Sequence, residues 1–98
     1  MLRQADLWAV RANAAQRLSQ HPEAADAYRM ALRLRPGEPR WMLGAAVSLA
    51  AQGQLALAAQ WLEQARAIGP VSPDVMSYLR QMGVAIQGDN SRNQGLVP

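Results

Sequence analysis

The chain has no cysteine, no lysine and no phenylalanine. Without cysteine it can form neither a disulfide nor a thiolate metal site, it has no thiol nucleophile, and it carries no mark of redox compartment. Without lysine, all ten basic residues are Arg, so the formal charge of +3 rests on groups that stay protonated. They are spread from Arg3 to Arg92, and the densest group, Arg29, Arg33 and Arg35, falls near an expected helix end, where cations suit the dipole. That dispersal excludes the cationic stripe of a nucleic-acid surface, and no nucleic-acid partner is expected. Long apolar runs are missing as well. Arg3, Asp6, Arg11 and Arg17 interrupt the first part of the chain, which leaves no signal-peptide core and no spanning helix, and no membrane contact is expected of this segment.

Catalytic constellations are equally scarce. The one His, His21, sits in a Gln-His-Pro turn and reads as a solvated or capping residue. No serine is expected to have a His beside it. Glu23 and Asp26 share the start of a helix, where acidic groups complement the dipole. Gly37, Gly44 and Gly53 are isolated stops or packing positions and build no phosphate-binding loop. No catalytic residue, cofactor or metal site is therefore expected, and the chain does not read as an enzyme.

What the chain has in abundance is Ala. Hydrophobic residues make up 50% of its 98 residues, enough for one folded domain with a modest core. Ala forms helices readily, is depleted in strands and lets helices approach closely, so the expected class is all-α.

The alanines also recur. At an offset of 34 residues Ala12 matches Ala46, Gln20 matches Gln54, Ala24 and Ala25 match Ala58 and Ala59, Ala31 matches Ala65, and Pro36 matches Pro70. These matches fall where a helix–turn–helix repeat needs small residues and a stop. An Ala-rich helical bundle without repeats would explain the apolar stripes but not prolines in phase. Local signals predict helices over about Leu7–Leu18, Glu23–Leu34, Arg40–Gln52 and Leu55–Ile68. Pro22 and Pro39 stand at helix starts, and Gly53 and Gly69-Pro70 at helix ends. Ser72-Pro73-Asp74 is a helix start with Ser72 as N-cap, and that fifth helix is expected to run to about Ile86. A stripe of Ala24, Tyr28, Ala31 and Leu32 has its counterpart in Ala58, Leu62 and Ala65.

With these residues the chain resembles the tetratricopeptide repeat family, whose pattern is Trp-x2-Leu-Gly-x2-Tyr, then Ala-x3-Phe-x2-Ala, then Pro. One unit offers Trp8, Arg11, Ala12 and Ala15, then Ala24, Tyr28, Ala31 and Pro36. The next offers Met42, Ala45, Ala46 and Leu49, then Ala58, Leu62, Ala65 and Pro70. Ala12 and Ala46 replace the Gly of the pattern, Arg11 replaces Leu, and Ala15 replaces the aromatic. The resemblance implies a right-handed α-solenoid with repeats at 5–38 and 39–72, a capping helix at 73–87 and a disordered tail at 88–98. Arg40-Trp41-Met42-Leu43-Gly44, Gln52-Gly53-Gln54, Gly69-Pro70-Val71-Ser72-Pro73 and Tyr78-Leu79 are similar to bacterial pilus-biogenesis proteins of the mannose-sensitive haemagglutinin type, which implies a periplasmic setting. Type III secretion chaperones, which are cytoplasmic, also use such repeats.

The resemblance further implies a concave groove, lined by the first helix of each unit, that holds a peptide or helix of a partner protein. By register its residues are Asp6, Ala9, Asn13 and Gln16 in the first unit and Arg40, Leu43, Val47 and Ala50 in the second. Family members that clamp a C-terminal carboxylate present Asn with Lys or Arg. Here Asn13 and Arg17 match, but Val47 stands where a second Asn would be. An apolar groove for an amphipathic segment fits better, although Leu43 and Val47 could equally pack on a neighbouring helix. Trp41 and Trp61 are candidates either for partial burial or for anchors at a partner surface. Two function classes follow, a peptide-binding adaptor and a unit that self-associates into a homo-oligomer.

Overall fold

The computed structural model of the protein describes residues 3–88. Five helices follow one another, α1 (Gln4–Arg17), α2 (His21–Leu34), α3 (Pro39–Ala51), α4 (Leu55–Ile68) and α5 (Pro73–Met82), and no strand occurs among the described residues. They pair as two hairpins, α1 with α2 and α3 with α4, and α2 packs on α3 to join the hairpins. Helix α1 starts three residues before the expected position: the Asp6 carboxylate accepts a hydrogen bond from the Arg3 N–H at 3.3 Å, and this satisfies one of the free donors of the first turn. Ser72 does cap α5, its Oγ accepting from the Val75 N–H at 3.3 Å.

The turns repeat as the alanines do. In the first hairpin Gln20 N–H bonds Ala15 O at 2.8 Å, and in the second Gln54 N–H bonds Leu49 O at 2.9 Å, the same pair shifted by the repeat. The residue that reverses the chain is left-handed in both, Ser19 at φ 60° and Gly53 at φ 80°. Glycine adopts that conformation without Cβ strain, whereas Ser19 holds it at some cost.

Of the eight repeated alanines, Ala12, Ala24, Ala31, Ala46, Ala58 and Ala65 have no exposed surface, Ala25 is buried and Ala59 is half-buried. They are the close contacts between helices, and they organise two joined cores. One gathers Tyr28, Leu32, Trp41 and Met42 around the α1–α2–α3 contact, and the other gathers Leu49, Leu62 and Leu79 under the end of the molecule. Trp41 is buried, and Trp61 is half-buried against both cores.

The far end departs from expectation. Helix α5 stops at Met82, because Gly83 takes φ 102° and turns the chain out of the helix. Beyond it Val84 and Ile86 are buried, although neither is helical. Gln87 is then pinned to α4 from both sides, its N–H donating to Glu63 Oε2 at 3.2 Å and its carbonyl accepting from Arg66 Nη1 at 2.7 Å. An extended strap therefore completes the cap where a longer helix was expected. Of the expected tail at 88–98, residues 89–98 lie outside the described residues.

Candidate peptide-binding groove

Helices α1 and α3 lie side by side on one face of the molecule, with the start of α5 beyond them. Between them opens a cavity of about 600 Å³. Asp6, Ala9, Asn13 and Gln16 contribute from α1, and Arg40, Leu43 and Val47 from α3. The spacing explains the arrangement, since residues three and four apart share a helix face. Ala50, expected with them, is not among the lining residues. It is buried in the second core, in the cluster that Leu79 and Val84 complete, because the cap covers that part of α3. Five lining residues were not anticipated: Val10, Tyr28, Trp41, Gly44 and Val75. Tyr28 reads from sequence as a core residue of α2, and Val75 reaches the groove only through the placement of α5.

Tyr28 forms the floor of the groove by lying against Gly44. A Cβ built on Gly44 would fall within 2.8 Å of the ring atoms Cε1 and Cε2. Gly44 is thus a packing position, and the absence of a side chain there lets the aromatic ring pass under α3.

A polar junction stands at one side of the groove. Ser48 is fully buried, and its Oγ accepts from Gln16 Nε2 at 2.9 Å and pairs with His21 Nδ1 at 3.1 Å. Gln16 Nε2 also donates to Gly44 O at 3.0 Å, and Gln52 Nε2 donates to Ser48 O at 3.2 Å. A serine thus has a His beside it after all, from a residue too distant in sequence for local reading. Ser48 has no exposed surface, His21 is half-buried, and no carboxylate bonds His21 among the described residues, so with Gln16 this pair ties three helices together and presents no accessible nucleophile. No buried side-chain polar atom among the described residues lacks a partner.

The other side is held by charge. Arg35 donates to Asp6 Oδ1 at 2.8 Å and stacks over the Trp41 ring at 4.6 Å, so α1 is tied to the connection between α2 and α3. The Arg35 hydrogen bond holds the Asp6 carboxyl below the usual carboxylate range, against a smaller desolvation effect that raises it. A depressed folded value means a stabilisation that is complete above the unfolded value and lost as pH falls through the folded one. Chemical denaturation of the wild type and of Asp6→Asn should therefore differ most at neutral pH. The difference should shrink as pH falls below about 4, the unfolded aspartate value. A difference that grows with acidification would contradict the pairing. Asn13 is exposed and has no hydrogen bond to another described residue, so its amide is free to meet a ligand.

The two hairpins, their shared turn geometry and their buried alanines now stand beside a match of sequence. The tetratricopeptide repeat profile covers residues 10–73. The chain belongs to the tetratricopeptide repeat family. Its architecture is an α-solenoid of tetratricopeptide units, and repeats of this family generally mediate protein–protein interaction without catalysis. No curated protein and no solved structure matches the chain. Among the described residues no cluster of three or more His, Asp or Glu could hold a metal, and no helix is long and apolar enough to cross a membrane.

Proposed function

We propose that the groove between α1 and α3 holds an amphipathic segment of a partner protein, with its apolar side against Ala9, Leu43, Val47 and Val75. The observation that carries this reading is the chemistry of the lining. Apolar residues occupy the middle, Asp6 and Arg40 stand at one end, and the free Asn13 amide lies between. Such a surface draws its affinity from burial of apolar area, at roughly 25 cal/mol per Å² before the costs of association. Charge contributes little, because Asp6 is already paired with Arg35 and Arg40 is exposed to solvent.

Val47→Asp should weaken binding of the cognate segment at least about a hundredfold, since the new carboxylate loses hydration under the ligand and gains no partner. Arg29→Ala, on α2 and paired with Asp26 at 2.9 Å, should bind as the wild type does. Added salt should change the affinity only slightly. The measurement is a calorimetric titration of both variants at two salt concentrations, with the helical spectrum checked first. Normal binding by Val47→Asp together with a steep salt dependence would refute the groove reading.

The setting we favour is assembly of bacterial pilus or secretion machinery. Its support is the resemblance carried by the stretches from Arg40 to Gly44 and from Gly69 to Pro73. Capture of a pilus or secretion component by the wild type and not by Val47→Asp would support that setting.

A further inference from the structure

Tyr28 carries a polar atom that the core does not use. The residue is 5% exposed and packs in the first core, where an apolar side chain would serve, and its match in the other unit is Leu62. The Tyr28 hydroxyl forms no hydrogen bond to another described residue. It nevertheless keeps access to water, because no buried side-chain polar atom among the described residues lacks a partner. The water it meets is that of the groove, which Tyr28 lines.

The ring reaches the groove by passing beneath Gly44. A Cβ at that position would meet the hydroxyl-bearing carbon, Cζ, before any other atom, so the polar tip of the ring is the part that stands under α3. Glycine weakens a helix interior, and here it admits a ring whose hydroxyl has no role in packing.

Resting on the reading of this groove as the seat of a partner segment, we infer that Tyr28 is its specificity-determining residue. The hydroxyl donates a hydrogen bond to a main-chain carbonyl of a segment bound in extended conformation. A hydroxyl covered by an apolar occupant loses its water, and this is costly unless the occupant returns a hydrogen bond. A helix laid along the groove has its main-chain carbonyls engaged within itself and would cover the hydroxyl unmatched. An extended segment leaves carbonyls free along its length. It also turns alternate side chains to one face, so apolar groups reach Leu43 and Val47 while a carbonyl remains for Tyr28.

The probes are random short peptides, selected by display on the full chain and then titrated as free peptides. The proteins are the wild type, Val47→Asp and Tyr28→Phe, the last of which keeps the ring under Gly44 and removes only the oxygen. Tyr28→Phe should leave the urea midpoint unchanged or raised, since the hydroxyl bonds nothing in the free protein. Peptides that lose affinity on Val47→Asp should lose about three- to tenfold on Tyr28→Phe, the worth of one neutral hydrogen bond. Replacing the matching peptide amide by an ester, a poorer acceptor, should weaken binding to the wild type and not to Tyr28→Phe. Peptides that depend on Val47 but bind Tyr28→Phe as they bind the wild type would overturn the inference and leave the groove reading standing. Coupling of Tyr28 to a peptide side chain in place of a carbonyl would also overturn it, as would a lowered urea midpoint in Tyr28→Phe. If no selected peptide depends on Val47, the groove reading falls and this inference falls with it.

Discussion

Leu79→Ala is expected to lower stability by roughly 2–5 kcal/mol, the range for deleting a fully buried Leu whose surroundings cannot close the gap. Leu79 has no exposed surface and is the only buried residue of α5. The helix therefore rests on the second core through that side chain, with Val75, Met76 and Met82 packed only in part. The loss should also be uneven. Amide exchange in α5 and the strap should rise by more than in α1 and α2, because the cap opens as a local unit. Since Val75 lines the groove, ligand affinity should fall as well. Urea denaturation with hydrogen exchange reads both effects. A loss below about 0.5 kcal/mol, typical of surface sites, would show that α5 is not anchored in this way.

Gly44→Ala should cost about 3 kcal/mol, against the ordinary expectation for a helix. Within a helix this change normally gains about 1 kcal/mol, because Ala restricts the unfolded chain and Gly does not. At Gly44 the new methyl would overlap the Tyr28 ring, which is itself buried at 5% exposure and has core on its other side. Overpacking of this kind costs roughly 1–3 kcal/mol or more, and here the ring cannot swing away without opening the first core. Tyr28→Leu provides the control, because Leu62 occupies the matching position in the other unit. In that background Gly44→Ala should become far less costly, and the double-mutant cycle should show strong coupling between the two sites. Additive effects would mean that the ring and the glycine do not constrain one another.

The helices and their pairing were legible in the sequence because the signals are local. Pro22, Pro39 and Pro73 mark helix starts wherever they stand, and small residues at a constant offset mark helix contacts. Groove positions such as Ala9, Leu43 and Val47 follow from the same register, whereas what they bind does not. The remaining features depend on partners distant along the chain. Gln16, His21 and Ser48 look like unrelated polar residues until three helices bring them within hydrogen-bond distance. Ala50 left the groove for the core because α5 covers its part of α3, and no property of α3 alone reports that. The end of α5 is hidden in the sequence for another reason. Val84 and Ile86 keep an apolar spacing beyond Gly83, and apolar spacing signals burial without saying whether the buried segment is helical.

The junction around Ser48 has a consequence for selectivity. Gln16 holds Gly44 and Ser48, two positions one helical turn apart on α3, with a single amide nitrogen. Sliding α1 along α3 by a turn, about 5.4 Å, would break both bonds and leave the buried Ser48 hydroxyl with His21 as its one side-chain partner. The two walls of the groove are thereby set at one separation before any ligand arrives. A stiff site of this kind discriminates by refusal. A segment of the right width binds without an entropic penalty for ordering its host, while one carrying a bulkier side chain meets walls that do not spread.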